Sequence, residues 1–287
     1  MKHRVWQQPM KVCDALRAGA TKLALTSESP RLDAEVLMAH ALGISRDQLI
    51  LRYLDCAMPA RFERLIERRQ AHEPVAYITS KRDFWTLTLA VSPAVLIPRP
   101  DSETLIEAAI AHFGTAGPGR IADLGTGSGA LLLAALSVWP DATGIGVDWS
   151  TAALHVARDN AVRLGFSGRA EFVQSNWCAA LIGKFDLILC NPPYVEAHAV
   201  LRPDVADYEP GSALFAGNDG LDDYRQIIPQ LGTILASAGT AILEIGSGQA
   251  AIVKALAQSE GFAVSETRDL CGVVRCLRLS ASVRLEQ

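Results

Sequence analysis

Arg120-Ile121-Ala122-Asp123-Leu124-Gly125-Thr126-Gly127-Ser128-Gly129, continued by Ala130-Leu131-Leu132-Leu133-Ala134-Ala135-Leu136-Ser137-Val138-Trp139, is the stretch that decides the fold. Its first five residues form a short, largely apolar run of the kind buried on both faces of a sheet. The glycines break that run, and the alanine- and leucine-rich segment after them is long enough for a helix. Strand, glycine loop and helix in this order are the βα unit of a doubly wound sheet. Working outward, the same alternation continues downstream. A second strand is expected over Ala142–Asp148, a helix over Thr151–Leu164, a third strand over Ala170–Ser175 and a fourth over Phe185–Cys190. A long loop from Val195 to Asn218 precedes a helix over Leu221–Leu235 and the strand Ala241–Ile245. Phe262–Leu270 and Val273–Leu279 read as two closing strands joined tightly at Gly272. The expected fold is α/β and Rossmann-like.

A glycine loop after one strand and an acid at the end of the next place a nucleoside across the carboxyl edge of the sheet. The glycines let backbone approach the ligand, and Asp148 can accept protons from both ribose hydroxyls. Dinucleotides and S-adenosylmethionine both satisfy this pattern, and two details favour the second. The spacing is Gly-x-Gly-x-Gly, one residue tighter than the Gly-x-Gly-x-x-Gly that seats a pyrophosphate. Asp123 stands two residues before the first glycine, where a carboxylate repels pyrophosphate and suits a ligand carrying an ammonium and a sulfonium. Trp177, just past the third strand, is either a stacking partner for adenine or a half-buried core aromatic.

Asn191-Pro192-Pro193-Tyr194 follows the apolar strand Phe185-Asp186-Leu187-Ile188-Leu189-Cys190. Pro192 biases the residue before it towards extended geometry and ends the strand, so Asn191 stands at its carboxyl tip. The Asn191 carboxamide, with neighbouring carbonyls on residues that lack N–H donors, is rich in acceptors for a planar amino group, and Tyr194 offers it a flat face. Punctuation of a strand is the plain alternative for such a turn. Of the six histidines only His198 lies near in sequence, and no general base is evident.

The first eighty residues read as helical: a segment beginning at Val12, a second from Pro30 that stops before Gly43, and a third over Pro59–Ala71. The third sets Phe62, Leu65 and Ile66 on one face and Arg61, Glu63, Arg64, Glu67, Arg68 and Arg69 on the other, as a solvated face of Glu–Arg pairs or a partner-binding surface. Between Arg82 and Pro100 alternating residues read as a hairpin turning at Ser92-Pro93. Arg99-Pro100-Asp101-Ser102-Glu103 then opens a helix to about Phe113, read first as helix-start chemistry, with Arg99 receiving a carboxylate there as the alternative. The expected divisions are a helical domain over 1–80, a hairpin linker over 81–100 and the larger domain over 101–287.

With 287 residues, 49% hydrophobic, the chain can bury a sizeable core. A net charge of −4 offers no global basic field for a nucleic-acid backbone. Six cysteines without Cys-x-x-Cys or zinc-finger spacing read as reduced thiols. The start, MKHRVWQQPMKV, lacks an apolar signal core, and the longest apolar stretch, Ala130 to Val138, is too short to span a bilayer. A cytoplasmic location is expected, with no membrane association and no metal.

Asp-Leu-Gly-Thr-Gly-Ser-Gly at 123–129, Asp148, Asn-Pro-Pro-Tyr at 191–194, Ile-Pro-Arg-Pro-Asp-Ser-Glu at 97–103 and Arg-Asp-Leu-Cys-Gly-Val-Val-Arg at 268–275 together resemble the HemK/PrmC family of peptide chain release factor glutamine methyltransferases. Tyr208-Glu209-Pro210 and Leu214-Phe215-Ala216-Gly217-Asn218-Asp219-Gly220-Leu221 extend the resemblance nearly end to end. It implies a class I S-adenosylmethionine-dependent methyltransferase domain, with a small helical domain that helps dock the release factor. It also implies methyl transfer to the side-chain nitrogen of the glutamine in the factor's Gly-Gly-Gln tip. By the same resemblance Gly125, Thr126, Gly127, Ser128 and Gly129, with Asp123, hold the cofactor's methionine end. Asp148 holds its ribose and Trp177 borders its adenine. Asn191, Pro192, Pro193 and Tyr194 hold the glutamine, Asn191 also standing beside the cofactor. The family often reads Asp-Trp where this chain has Asn176-Trp177. The same core motifs serve ribosomal-protein glutamine methyltransferases and nucleic-acid adenine methyltransferases. An NAD-dependent oxidoreductase and a non-catalytic cofactor-binding protein are the readings from other classes.

Overall fold

The computed structural model describes residues 10–269 and 271–281. Most of the amino-terminal MKHRVWQQPMKV stretch and Leu270, the expected last residue of a strand, lie outside the described residues. The chain divides into two compact units. One is the chain up to Ser80 together with Arg202–Tyr208; the other is Lys81–Leu201 together with the chain from Glu209 onward.

The helical unit contains helices at Val12–Leu23, Pro30–Leu42, Arg46–Gln48 running into Leu49–Tyr53, Arg61–Gln70 and Val75–Thr79. Pro30 opens its helix at the first turn and Gly43, at φ 71°, closes it. Ser45 and Gln48 form a reciprocal capping box that starts the next. Leu16, Leu37, Met38, Phe62 and Ile66 are buried between them. The expected outer face of charges, solvated or partner-binding, needs correction at Arg69, which is 5% exposed. Its guanidinium meets Asp33 at 2.8 Å, because burial of a charge requires a partner of opposite sign. Arg68 pairs at 2.5 Å with Glu73, beyond the helix, rather than with a glutamate one turn away. Arg202–Tyr208 belongs to this unit through Arg202 paired with Glu28, Asp204 at 3.9 Å from Arg69, and the Tyr208 hydroxyl donating to the Ala71 carbonyl at 2.7 Å.

The larger unit opens with β1 (Lys81–Phe84) and β2 (Leu87–Ala90), an antiparallel hairpin. It turns at Trp85-Thr86, not at Ser92-Pro93. Trp85 takes φ +55° without being glycine, asparagine or aspartate, so the usual signal of a tight turn is missing. Its N–H donates to Glu103 Oε1 at 2.8 Å, which helps hold the unusual backbone.

Seven strands follow: β3 (Arg120–Leu124), β4 (Thr143–Asp148), β5 (Ala170–Gln174), β6 (Phe185–Cys190), β7 (Leu235–Glu244), β8 (Phe262–Arg268) and β9 (Val274–Ala281). They lie in the order β5-β4-β3-β6-β7-β9-β8, and only β9 runs against the others. Alternation sorts the side chains between two layers. Ile121, Leu187 and Leu189 join Leu105, Leu132 and Leu154 on one face, whereas Ala122, Leu124, Ile188 and Cys190 join Tyr224, Ile227 and Leu231 on the other. The covering helices are Glu103–Phe113, Ala130–Val138, Thr151–Arg163, Asp222–Ile234 and Ala250–Ser259. The last of these was not expected; it buries only Val253 and Ala257 and so carries a weak apolar stripe. β7 starts six residues earlier than Ala241, at Leu235, which pairs with Phe185 across a register irregularity.

Register places the functional edge. Leu124 lies beside Val147 on one side and Cys190 on the other, and Cys190 lies beside Leu243. The residues next in sequence, Asp148, Gly125, Asn191 and Glu244, therefore emerge side by side at the carboxyl edge, where open α/β sheets bind ligands.

Candidate active site

Gly125, Gly127 and Gly129 all adopt positive φ, at 72°, 53° and 83°, which lets the loop leave β3 and re-enter a helix within a few residues. The Gly125 and Thr126 N–H groups both donate to the Val147 carbonyl at 2.9 Å, tying the loop to β4. A side chain on Gly125 would lie 3.3 Å from the Trp177 ring, so the bare glycine and the indole form one wall. Gly129 does other work. It is not among the residues lining the cleft, and a Cβ there would press on Leu133 at 3.3 Å and Ala157 at 3.4 Å, so its bareness serves helix packing.

The cleft beside this loop is open to solvent. Asp123, Gly125, Thr126, Gly127, Ser128 and Asn191 line it, with Ser102 and Phe84 opposite. Asp123 is 1% exposed; its Oδ2 accepts from the Thr126 hydroxyl at 2.6 Å and from the Leu132 N–H at 3.3 Å. Its Oδ1 is buried without a hydrogen-bond partner. Burial raises the Asp123 carboxyl to about 7, and the nearby Asp148 charge adds to the rise. Asp148 accepts from the Gly127 N–H at one oxygen and from the Ser150 N–H at the other, both at 2.9 Å. Each of its oxygens keeps lone-pair capacity for a further donor. Burial raises its carboxyl too.

These groups suit S-adenosylmethionine. An unpartnered buried acceptor at the cleft wall requires a donor, which an ammonium supplies, and a carboxylate fixed by two backbone N–H groups is a rigid acceptor for a diol. A pyrophosphate would meet two buried acids at the loop meant to cradle it.

Asn191 is half-buried and Pro192 buried. The Asn191 Nδ2 donates to Ser102 Oγ at 3.0 Å, and the Ser102 hydroxyl donates to Glu244 Oε2 at 2.5 Å. Tyr194 OH lies 3.4 Å from the other Glu244 oxygen. The Tyr194 carbonyl accepts from Gln249 Nε2 at 3.1 Å, which anchors the loop behind the motif. Burial, with the Glu244 charge beside it, lifts the Tyr194 phenol to about 12, so it is a neutral hydroxyl at physiological pH.

Asp148, Trp177, Pro192, Pro193 and Tyr194 are not among the residues lining the cleft. His198 is exposed. Arg99 receives a carboxylate from the chain itself, pairing at 2.7 Å with buried Glu209. Ser102 and Glu244 escaped the sequence reading, although an acid ending the apolar run Ile242-Leu243 was a signal that a buried charge needed an explanation. Among the described residues no group of three His, Cys, Asp or Glu is placed to hold a metal ion.

A Rossmann-like sheet with one reversed strand, two acids about a glycine loop and an Asn-Pro-Pro-Tyr tip on the next strand define an S-adenosylmethionine-dependent methyltransferase. A methyltransferase from Pyrococcus furiosus shares the fold with a TM-score of 0.51, at 17% identity over 67% of this chain and 87% of that one. Residues 14–79 match the PrmC N-terminal domain family and residues 102–207 the Methyltransferase small domain family. The release factor glutamine methyltransferase of Rhodospirillum rubrum is 44% identical over 91% of this chain and 82% of its own length. That of Bradyrhizobium diazoefficiens is 44% identical over 87% and 88%. The chain belongs to the release factor glutamine methyltransferase family.

Proposed function

We propose that this enzyme transfers a methyl group from S-adenosyl-L-methionine to the side-chain amide nitrogen of the glutamine in the Gly-Gly-Gln motif of peptide chain release factors. The observation that carries this reading is that Asn191 lines the same cleft as Asp123 and the glycine loop, so acceptor and donor sites share one space. S-adenosylmethionine, when bound, supplies an electrophilic methyl carbon on a cationic sulfur. Asp123 Oδ1 would receive its ammonium and Asp148 its ribose hydroxyls, with Trp177 and Gly125 as the wall beside it.

A carboxamide nitrogen is a feeble nucleophile because its lone pair is delocalised into the carbonyl. Asn191 Oδ1 and the Pro192 carbonyl accept its two N–H groups and turn it so that the lone pair projects from the amide plane into the cleft. Tyr194 packs on the amide face. No strong base is required, since the nitrogen becomes acidic once alkylated and sheds its proton to water. Burial of the walls strengthens each of these contacts.

The helical unit is the docking surface for the release factor, and the enzyme works in the cytoplasm. Among the described residues no helix is long and apolar enough to cross a membrane. Incubation with methyl-labelled cofactor and, in parallel, a release factor, ribosomal protein and DNA tests the assignment. Label is expected on the release factor glutamine; label on DNA or ribosomal protein alone would overturn it.

A further inference from the structure

We propose that Glu244, acting through Ser102, dictates which end of the Asn191 carboxamide faces the substrate glutamine, making Glu244 and Ser102 positioning residues for methyl transfer. This rests on the assignment of Asn191 to glutamine recognition.

The two ends of an asparagine amide have nearly the same shape, so only hydrogen bonds decide which is presented. An ionised carboxylate accepts only. At 2.5 Å from Glu244 Oε2, the Ser102 hydroxyl therefore spends its single proton on Glu244. Its oxygen is left with acceptor capacity alone, and the Asn191 group 3.0 Å away must be the NH2 end. Oδ1 is thereby turned outward as an acceptor for the glutamine N–H. Ser102 and Glu244 are 3% and 2% exposed, so water is not placed to reset this direction.

Replacing the carboxylate with a group that can donate reverses the chain. A protonated Glu244 donates to Ser102, Ser102 donates to Asn191, and the asparagine flips to set its NH2 against the substrate NH2. Two donors then face each other and the grip is lost.

The charged and titratable groups around Glu244 come from every side. Asp101 stands beside Ser102, Tyr194 faces the second carboxylate oxygen, Arg275 lies on β9, and Cys190 and Cys276 are its neighbours on β6 and β9. Tyr224 donates at 2.8 Å to the Glu244 backbone carbonyl and leaves the carboxylate to the other two hydroxyls. Burial raises the Glu244 carboxyl to about 7; Ser102, Tyr194 and Arg275 oppose the rise and Asp101 adds to it. The outward-facing acceptor is thus set above neutrality and lost below it.

The test is kcat against pH from about 5.5 to 9, with release factor as substrate and cofactor saturating so that titration of free Asp123 does not enter. Wild type is expected to show a rising limb with a midpoint near 7. Glu244→Gln, which can donate, should lose the limb and fall about 10- to 100-fold in kcat at high pH, the loss expected when a buried hydrogen-bonding group is left facing the wrong partner. Ser102→Ala should fall similarly, Ser102→Thr should restore most of the rate, and calorimetric cofactor affinity should stay within about twofold in all three. Persistence of the limb in Glu244→Gln, or wild-type kcat in Ser102→Ala, overturns the proposal. Loss in Glu244→Gln alone gives Glu244 another task, and equal loss in both Ser102 variants reduces the site to packing; either overturns it too. If Glu244→Gln does not fold, the Ser102 pair decides. Asn191→Ala separates the two readings: if it methylates normally, the assignment of Asn191 fails, and if it is inactive while Glu244→Gln and Ser102→Ala are not, only the relay fails.

Discussion

Asp123→Asn should make the empty protein more stable and the enzyme worse. The carboxyl is raised from 3.8 to about 7 at 1% exposure. At roughly 1.4 kcal/mol per unit, the ionised form costs up to about 4 kcal/mol of folding stability. The sign follows from proton binding: between pH 4 and 7 the folded state holds the proton and the unfolded chain does not, so stability falls as pH rises through that window and is level above it. Asparagine keeps an acceptor for the Thr126 hydroxyl and the Leu132 N–H, carries no charge, and removes the slope. Urea unfolding of both proteins at several pH values should give a stability difference that grows by roughly 2 kcal/mol between pH 5.5 and 8. Taking the difference cancels Glu244 and the other groups that do not interact with Asp123, and leaves a smaller part from Asp148, whose charge is coupled to it. Calorimetry should show cofactor binding weakened about 10- to 100-fold, because an NH2 would then confront the ligand ammonium. A stability difference that does not change with pH would refute the buried, raised carboxyl.

Asn191→Ala should lower kcat about 10²- to 10³-fold with cofactor binding nearly intact, and near-normal turnover would remove the amide grip. Asp148→Ala should weaken cofactor binding about 10- to 100-fold by calorimetry, since two charge-assisted hydrogen bonds are lost; unchanged affinity would refute the ribose assignment. Gly144→Val should cost about 1–3 kcal/mol in denaturant unfolding through overpacking. A Cβ there lies 2.4 Å from Leu132 Cδ1, so an unaltered midpoint would contradict the packing of β4 on the Ala130–Val138 helix.

The sheet was legible because its central strands announce themselves by apolar runs, and β3 and β6 a second time by the glycine or proline that closes them. Once β3, β4 and β6 are recognised, the tips carrying Gly125, Asp148 and Asn191 follow. What stayed hidden depends on distance in sequence. Ser102 reads locally as helix-start chemistry and Glu244 as the end of a strand; only the fold brings them within 2.5 Å of one another, across 142 residues. The hairpin turn was misplaced because Trp85 adopts a left-handed backbone that its residue type does not advertise. Arg69 reads as part of an outer face, solvated or partner-binding, because its partner Asp33 lies in another helix, beyond the reach of a one-turn spacing rule.

The helical unit is not one piece of chain. Arg202–Tyr208, eight residues past Tyr194, belongs to it, so the backbone passes between the units three times rather than once. A chimaera spliced only at Ser80 would graft an incomplete helical unit, leaving Arg69 and Glu28 to meet foreign residues where Asp204 and Arg202 belong. Exchange of the intact helical unit between relatives therefore requires transplanting two separate gene fragments together.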